Sequence, residues 1–266
     1  MESFECKNQN LVLLNQSDGT SRLLLNDPHK NNALSKEMID CLINTLNKIA
    51  ADDRQKLVII RGAGGSFCSG ADLNWMKKAI SQSDEKNKND AALFFELYTL
   101  LFHFPKPIIM WVEKCAMGGA LGLLACADYV IADTHVKMAF SEVKLGLVPA
   151  TISPFVLQKI GLSHAKAFML SGAIFSAKQA RRMGLIHEVL PAMAIPDRIK
   201  ELTDQFKQNS AEAMMATKRL LNKLIATPLN EVKDMCCDHI ATSRRSEEGQ
   251  EGVSAFLEKR KPNWNK

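Results

Sequence analysis

Residues 66–73 (SFCSGADL) and residues 115–122 (CAMGGALG) are the two stretches that decide how this chain is interpreted. Each is a short glycine turn that follows an apolar, strand-like run and precedes a helix-like run. Two turns of this kind can direct their backbone N–H groups at one point. A pair of N–H donors at one point forms an oxyanion hole, which stabilises negative charge on a carbonyl oxygen. The two turns therefore predict such a site.

The composition excludes several classes of protein. The chain has 266 residues, 46% of them hydrophobic and 24% charged, which is ordinary for a soluble enzyme with one domain or one domain and an appendage. Its net charge of +5, from 34 basic and 29 acidic residues, is small and scattered. Such a charge suits a phosphorylated small molecule better than nucleic acid. We therefore expect no nucleic-acid partner.

The cysteines and the N-terminus indicate a cytoplasmic protein. The seven cysteines are odd in number and include no C-x-x-C pair, which indicates free thiols in a reducing compartment. Residues 1–6 (MESFEC) lack the basic start and the apolar core of a signal peptide. No apolar run approaches the roughly 20 residues that a membrane span needs, so we expect no membrane partner.

The spacing of apolar residues predicts strand–turn–helix units followed by helices, which is an α/β arrangement. The polar stretch 81–90 (SQSDEKNKND) is predicted to be a mobile surface loop. The chain beyond residue 154 is predicted to be almost wholly helical. The elements predicted before that point are a hairpin at 11–26 around Asp18-Gly19, a helix capped by Ser35, strands at 57–60, 108–112, 129–132 and 137–140, an amphipathic helix at 93–101 and a buried helix at 120–127.

Ala71 and Gly119 are the predicted oxyanion donors. Ala71 lies at the exit of the first turn, where a backbone N–H can point outward; an ordinary connection between elements is the alternative. Gly119 lies between a buried strand and a buried helix, and N–H groups at a helix start carry partial positive charge. Its alternative is close helix–strand packing that only glycine permits. The presence of both turns in one chain favours an oxyanion hole over two ordinary structural turns.

Glu142 is the candidate catalytic acid and base. It follows a strand-like run in mostly apolar surroundings, where the pKa of a carboxyl group rises toward the range useful for proton transfer. A solvated or lysine-paired surface glutamate is the alternative, since Lys144 is close in sequence. Asp72 is expected to cap the helix after the first turn. The histidines have no metal-ligand spacing, and no Walker A, G-x-S-x-G or G-x-G-x-x-G sequence is present, so no metal site is expected.

Eight different blocks of sequence follow one another along the chain in a recognisable order: residues 30–34 (KNNAL), 67–73 (FCSGADL), 105–112 (PKPIIMWV), 116–128 (AMGGALGLLACAD), 140–149 (FSEVKLGLVP), 165–172 (AKAFMLSG), 180–189 (ARRMGLIHEV) and 255–261 (AFLEKRK). In this order and spacing they resemble the enoyl-CoA hydratase/isomerase (crotonase) superfamily over essentially the whole chain. The resemblance implies an α/β fold with a ββα spiral core over residues 1–195. It also implies a C-terminal helical trimerisation region over residues 196–266, and a homotrimer or a hexamer built as a dimer of trimers.

The resemblance further implies an acyl-CoA substrate. The N–H groups of Ala71 and Gly119 would hold the thioester carbonyl as it becomes enolate-like. Coenzyme A enters as part of the substrate, and no separate cofactor is implied. Phe256 and Lys259 would approach the adenine and 3′-phosphate end of coenzyme A, often across a subunit contact; an ordinary amphipathic terminal helix is the alternative. The residues implied to bind coenzyme A are His29, Lys30, Asn31, Ser69, Ala71, Asp72, Leu73, Phe256 and Lys259.

One position departs from the family pattern. Two-acid hydratases of this family place a first glutamate three residues after the oxyanion glycine, where this chain has Gly122, and only Glu142 is kept. A hydratase would use Glu142 alone to deprotonate water for addition to C3 of a 2-enoyl-CoA. An isomerase would use it to move a proton between C2 and C4. Residues 141–154 and Gly122 resemble a bacterial subgroup of hydratases for methylglutaconyl-CoA and related branched, carboxylated enoyl-CoAs, which favours the hydratase. A non-catalytic acyl-CoA-binding protein is a third, weaker alternative.

Overall fold

The structure is a computed structural model that describes residues 10–265. Residues 1–6, for which no signal peptide is predicted, lie outside the described residues. Within residues 10–265 the chain forms nine β-strands and ten α-helices. The strands are β1 (Val12–Ser17), β2 (Thr20–Leu25), β3 (Leu57–Gly62), β4 (Ile108–Val112), β5 (Cys115–Met117), β6 (Tyr129–Asp133), β7 (Lys137–Ala139), β8 (Phe175–Ser176) and β9 (Glu188–Leu190). The helices are α1 (Lys36–Ala50), α2 (Leu73–Lys78), α3 (Asp84–Phe102), α4 (Gly119–Cys126), α5 (Ser153–Ser171), α6 (Ala177–Arg182), α7 (Ile195–Lys207), α8 (Ala211–Leu224), α9 (Lys233–Arg245) and α10 (Glu247–Leu257).

Six strands form the main sheet, in the order β1-β2-β3-β4-β6-β9. β1 and β2 are the predicted hairpin; they pair antiparallel, and the turn residues Asp18 and Gly19 both have positive φ. The other neighbours in this sheet pair parallel. β5, β7 and β8 form a second, three-stranded sheet, in which β5 is parallel to β7 and β8 is antiparallel to it. The predicted α/β class is confirmed.

The central strands are buried on both faces, which explains their nearly continuous apolar sequences. In β3, Val58 and Ile60 face the main core, whereas Leu57 and Ile59 belong to a second cluster on the opposite face. Side chains of α1, α3, α4 and α5 pack in the main core. The second cluster is completed by α7, through Ile195, Ile199 and Leu202.

The stretch 81–90 is not a loop, so that prediction is wrong. α3 begins at Asp84, and the Ser83 side chain accepts a hydrogen bond from the Lys86 backbone N–H at 3.3 Å. Asp84 and Glu85 put negative charge in the first turn of the helix, where it offsets the helix dipole. The segment is polar because these first turns are largely exposed to solvent. The C-terminal part is also less helical than predicted, since it contains the short strands β8 and β9.

α8 is joined to earlier parts of the chain by side-chain hydrogen bonds. The Lys218 ammonium group donates a hydrogen bond to the Asp128 carboxylate, and the Asn222 side-chain amide donates to the Phe102 carbonyl at 2.8 Å. α9 and α10 pack against α8 and against each other. Among the helices of residues 10–265, none has both the length and the apolar character needed to cross a membrane.

Candidate active site

The two glycine turns lie side by side. The Cys68 N–H donates to the Cys115 carbonyl, and the Met117 N–H donates to the Cys68 carbonyl, both at 3.2 Å. At Gly70, φ is +91°, and a Cβ atom would lie 2.5 Å from the Met117 carbonyl oxygen and 3.5 Å from the Gly119 nitrogen. Only glycine permits both this backbone conformation and this approach. The contact brings the exit of the first turn next to the start of α4.

The backbone N–H groups of Ala71 and Gly119 are both available to a ligand. The Leu34 N–H donates to the Gly70 carbonyl at 2.7 Å and the Asp72 N–H donates to the Leu34 carbonyl at 3.1 Å, so the Ala71 N–H points to the opposite side. Gly119 begins α4, where helix geometry leaves an N–H without an acceptor. Neither N–H donates to a backbone carbonyl of the part of the chain that the structure describes. A Cβ on Gly119 would lie 3.9 Å from the Ala71 nitrogen, so the two predicted donors are neighbours.

Gly118 gives the second turn its shape. Its φ of +49° and ψ of −120° favour glycine, and its N–H donates to the Ala139 carbonyl at 2.9 Å. A Cβ atom on Gly118 would lie 3.2 Å from Glu142 Oε1 and 3.7 Å from Ser141 Oγ. The carboxylate of Glu142 therefore lies against the second turn, at the residue before the predicted donor Gly119.

Glu142 is half-buried at the start of a short 3-10 helix, Glu142–Leu145, which follows β7. Its Oε2 atom is buried and has no hydrogen-bond partner among the described residues. Burial raises the pKa of the carboxyl group above its usual value, and a hydrogen bond from the residue's own backbone partly opposes the rise. The stem of Lys144 packs at Gly172, whose Cβ position lies 3.1 Å from Lys144 Cε. This contact gives no support to the lysine-paired alternative.

Gly122 has no free space beside it. A Cβ atom there would lie 2.5 Å from Ile152 Cγ2 and 2.8 and 2.9 Å from the Tyr98 ring atoms Cε1 and Cζ. The volume that a glutamate at this position would need is therefore filled. Sequence reasoning missed both Tyr98 and Ile152. The available signal was the place of Tyr98 within the apolar repeat of residues 93–101, because a buried tyrosine needs a partner for its hydroxyl group.

The segments predicted to line the coenzyme A path lie together beside the first turn. His29 and Lys30 are exposed in a short 3-10 helix, Pro28–Lys30, and Asn31 follows it with a φ of +48°. The Ser69 N–H donates to the Asn31 carbonyl and its hydroxyl donates to the Lys30 carbonyl, both at 3.0 Å. The contribution of these residues to coenzyme A binding stays a prediction.

Asp72 has the capping role that was predicted for it. Its Oδ1 accepts hydrogen bonds from the N–H groups of Asn74 and Trp75, at 2.8 and 3.1 Å, at the start of α2. Its Oδ2 accepts from the Lys30 ammonium group at 2.9 Å. Burial alone would raise the pKa of this carboxyl group, but the lysine and the two N–H groups outweigh it and lower the pKa. Leu73, the first residue of α2, is largely exposed.

Phe256 and Lys259 lie at the C-terminal end of α10. The Phe256 side chain is 83% exposed, and Lys259 follows the helix with a φ of +55°. α10 packs against α8 and α9. The contribution of Phe256 and Lys259 to coenzyme A binding stays a prediction.

This arrangement suits proton transfer next to a carbonyl group. Two N–H donors stabilise a carbonyl oxygen as it takes negative charge. A carboxyl group with a raised pKa can take a proton and return it. In the part of the chain that the structure describes, no group of three or more His, Cys, Asp and Glu residues could hold a metal ion. These are the features of an enzyme class that works through an enolate-like intermediate.

Comparison with known proteins identifies the family. The model of the enoyl-CoA hydratase/isomerase family matches residues 15–266. A crystal structure of an enoyl-CoA hydratase from Shewanella pealeana has a TM-score of 0.93 at 35% identity, and 97% of each chain is covered. The 2,3-dehydroadipyl-CoA hydratase of Escherichia coli is 29% identical over 91% of this chain and 93% of the relative. The 1,2-epoxyphenylacetyl-CoA isomerase of the same organism is 29% identical over 95% of this chain and 97% of the relative.

The chain belongs to the enoyl-CoA hydratase/isomerase (crotonase) superfamily. It is therefore an enzyme of the hydratase/isomerase class, and an acyl-CoA substrate is expected for the family. The predicted superfamily and the crotonase-type α/β fold are confirmed. Hydratases and isomerases both occur among the similar proteins, so family membership alone does not choose between the two reactions.

Proposed function

We propose that the protein is an enoyl-CoA hydratase, which adds water across the 2,3 double bond of an enoyl-CoA thioester with Glu142 as its single acid and base. The observation that carries this proposal is the position of the Glu142 carboxylate. It lies against Gly118, the residue before the predicted donor Gly119, with one oxygen buried and without a partner among the described residues. A base, a water molecule and a polarised thioester could all meet there.

In the proposed reaction, the N–H groups of Ala71 and Gly119 bind the thioester oxygen. The Glu142 carboxylate takes a proton from a water molecule, whose oxygen forms a bond to C3. The π electrons of the C2–C3 bond move toward the thioester, and the two N–H groups stabilise the resulting enolate. Protonated Glu142 then returns its proton to C2, which restores the carboxylate and gives a 3-hydroxyacyl-CoA.

The second candidate is a 3-enoyl-CoA to 2-enoyl-CoA isomerase, in which Glu142 removes a proton from C2 and returns it at C4. The packing at Gly122 favours it, since Tyr98 and Ile152 leave no room for a second carboxylate. The hydratase is preferred because a hydratase is the named activity of the Shewanella pealeana structure at 35% identity. The resemblance of residues 141–154 to a hydratase subgroup adds to this preference.

The proposed substrate is 3-methylglutaconyl-CoA or a related branched enoyl-CoA. This choice rests on the resemblance of residues 141–154 to hydratases of that subgroup. The carboxylate of such an acyl chain would be stabilised by a cationic side chain in the pocket. Three exposed lysines, Lys77, Lys78 and Lys144, are near the site in sequence, and none of them is assigned that part.

A parallel assay with a 2-enoyl-CoA, a 3-enoyl-CoA and 3-methylglutaconyl-CoA tests the proposed function. We expect the enzyme to consume the 2-enoyl-CoA with loss of the conjugated thioester absorbance. Glu142→Gln should lower kcat about a hundredfold or more, because it removes the only proposed proton carrier. Binding of the acyl-CoA, measured by calorimetry, should be kept.

Glu113→Gln is the matched control. Burial also raises the pKa of the Glu113 carboxyl group, but its charged neighbours are Arg61 and Asp133, and it has no part in the proposed reaction. This variant should retain kcat. Full activity of Glu142→Gln would reject Glu142 as the acid and base. Turnover of the 3-enoyl-CoA without hydration of the 2-enoyl-CoA would assign the isomerase. Tight acyl-CoA binding without turnover of any of the three thioesters would favour the non-catalytic alternative.

The remaining proposals concern the assembly and its location. Residues 1–195 would form the spiral core, and residues 196–266 would form the contacts of a homotrimer or hexamer. The cysteine content supports a cytoplasmic location, and the scattered charge supports the absence of a nucleic-acid partner. The C-terminal helices expose several large apolar side chains, and this supports the proposed assembly. These side chains lie on α8, on α9, on α10 and at the residue that follows α8: Leu221, Ile225, Ile240, Val253, Phe256 and Leu257.

A further inference from the structure

Tyr98 is a buried polar residue that the proposed reaction does not use. It lies in α3, and its side chain is wholly buried. Its hydroxyl group donates a hydrogen bond to the Gly119 carbonyl at 2.9 Å. Its ring also covers Gly122, where a Cβ atom would lie 2.8 Å from ring atom Cε1. One side chain therefore contacts α4 both at the predicted oxyanion glycine and at the position where two-acid relatives have a glutamate.

α3 supports both turns. At the first turn, Trp75 of α2 stacks on Phe94 with ring centroids 5.2 Å apart, and its indole N–H donates to the Asp90 carboxylate at 3.0 Å. At the second turn, Tyr98 holds the Gly119 carbonyl. Asp90, Phe94 and Tyr98 recur every four residues, so they lie on one face of the helix. The relative position of the two donors therefore depends on a single rigid element.

The second turn needs such a support because Gly118 and Gly119 are adjacent. Glycine has more backbone freedom than any other residue, so the orientation of the peptide that carries the Gly119 N–H depends on hydrogen bonds. The carbonyl of that peptide, which belongs to Gly118, accepts a hydrogen bond from the Leu121 N–H at 2.9 Å. On one side, the Gly118 N–H is bonded to the Ala139 carbonyl. On the other side, the Tyr98 hydroxyl group fixes the Gly119 carbonyl. With both sides fixed, the Gly119 N–H is held beside that of Ala71.

Tyr98 acts here as a hydrogen-bond donor and not as a proton carrier. Burial, with Cys68, Cys126 and Glu142 nearby, raises the pKa of its hydroxyl group well above the usual value, so the group stays protonated. The proton is directed at the Gly119 carbonyl oxygen. Tyr98 is therefore a positioning residue, which acts through Gly119.

We infer that Tyr98 positions the oxyanion hole: its hydroxyl group fixes the Gly119 carbonyl and so helps to hold the Gly119 N–H in place, and its ring, with Ile152, occupies the space beside Gly122 that a second carboxylate would need. The inference rests on the proposed function, because it concerns the same thioester-binding site. Stabilisation of the enolate then depends on a hydroxyl group that the substrate does not touch. Together with Ile152, the ring also restricts the site to one-carboxylate chemistry.

Tyr98→Phe tests the inference, because it removes the hydroxyl group and keeps the ring. Tyr129→Phe is the matched control; Tyr129 is the other tyrosine of the chain, and its hydroxyl group donates to Glu188 at the edge of the main sheet. We expect Tyr98→Phe to lower kcat on the 2-enoyl-CoA about three- to tenfold at unchanged KM, the rate equivalent of one hydrogen bond. Tyr129→Phe should keep kcat, and the Tm of each variant is recorded to detect a general loss of structure.

A spectroscopic measurement separates positioning from a merely structural role. The infrared carbonyl stretch of bound butyryl-CoA, carbon-13-labelled at the thioester, reports the hydrogen bonds that its oxygen accepts, and this saturated ligand does not react. We expect the wild type to lower the stretching frequency relative to free ligand, and Tyr98→Phe to reverse part of that shift, unlike Tyr129→Phe. An unchanged frequency in Tyr98→Phe overturns the inference at any kcat, while hydration by the wild type would leave the proposed function intact. A wild type that binds no acyl-CoA overturns both.

Discussion

Burial of the Glu142 side chain has opposite consequences for proton transfer and for folding. A carboxyl group with a raised pKa exchanges protons near neutral pH more readily than an exposed one. The same burial costs free energy whenever the group is ionised, and Oε2 has no partner among the described residues to offset that cost. We therefore expect the residue that carries the proposed chemistry to destabilise the fold.

Glu142→Gln should raise the Tm by roughly 2 °C or more at a pH of about 8. The pKa of this carboxyl group is raised above 4.5 in the folded chain, so just above pH 4.5 the folded protein holds a proton that the unfolded chain has lost. Stability therefore falls as the pH rises through the window between the two pKa values, and the full cost is present above it. Glutamine does not titrate, so its advantage should disappear below about pH 4. Calorimetric scans at both pH values measure this; an equal Tm difference at both would contradict it.

At the scale of secondary-structure elements, the packing of α3 on α4 explains why the proposed site has a single carboxylate. At Gly122 the two helices are so close that the Tyr98 ring and Ile152 fill the space of a side chain. Gly119 and Gly122 lie three residues apart, on the same face of α4. The predicted oxyanion donor and the missing acid therefore both depend on what packs on that face.

Gly122→Glu should lower the free energy of unfolding by about 1–3 kcal/mol or more, because the new side chain overpacks the contact. In the Tyr98→Ala background the ring is absent, so the further cost of Gly122→Glu should be smaller. Urea unfolding of the four proteins completes a double-mutant cycle, with Tyr98→Ala alone as the control. If Gly122→Glu costs the same in both backgrounds, the Tyr98 ring is not the obstacle.

Elements and helix caps with local signals were predictable from the sequence. The Asp18-Gly19 hairpin turn and the helix after Ser35 depend on neighbouring residues, and both occur as predicted. The prediction failed at residues 81–90, where polar helical turns resemble a loop; the cap at Ser83 followed by acidic residues was the signal that was overlooked. Helix starts of this kind depend on one side chain and are easily hidden by polar composition.

The partners of α4 could not be predicted in the same way. Tyr98 bonds to a carbonyl 21 residues further along the chain, and nothing in the sequence near Gly119 indicates which helix will cover it. Ile152 reaches Gly122 from the residue before α5. Such pairs are fixed by the packing of whole helices, so they are known only once the fold is known.

At the scale of the whole molecule, the C-terminal helices are the elements that we propose to connect the site to the assembly. Phe256 and Lys259 are predicted to bind coenzyme A, and they lie at the end of α10, a helix that packs against α8 and α9. The ring of Phe256 is 83% exposed, which is costly for a phenylalanine in water. Both observations agree with the proposal that the end of α10 completes the coenzyme A site of a neighbouring copy.

Lys259→Ala tests whether the end of α10 reaches coenzyme A. If the ammonium group binds the 3′-phosphate, its loss should raise KM for an acyl-CoA about five- to tenfold at unchanged kcat, because the contact is remote from the reacting atoms. The same variant should leave KM unchanged for a 3′-dephospho-CoA thioester, which lacks that phosphate. Lys261→Ala is the control, since Lys261 is also exposed and lies two residues further on. A rise in KM for both thioesters would indicate a disturbed α10, and no rise for either would remove Lys259 from the site.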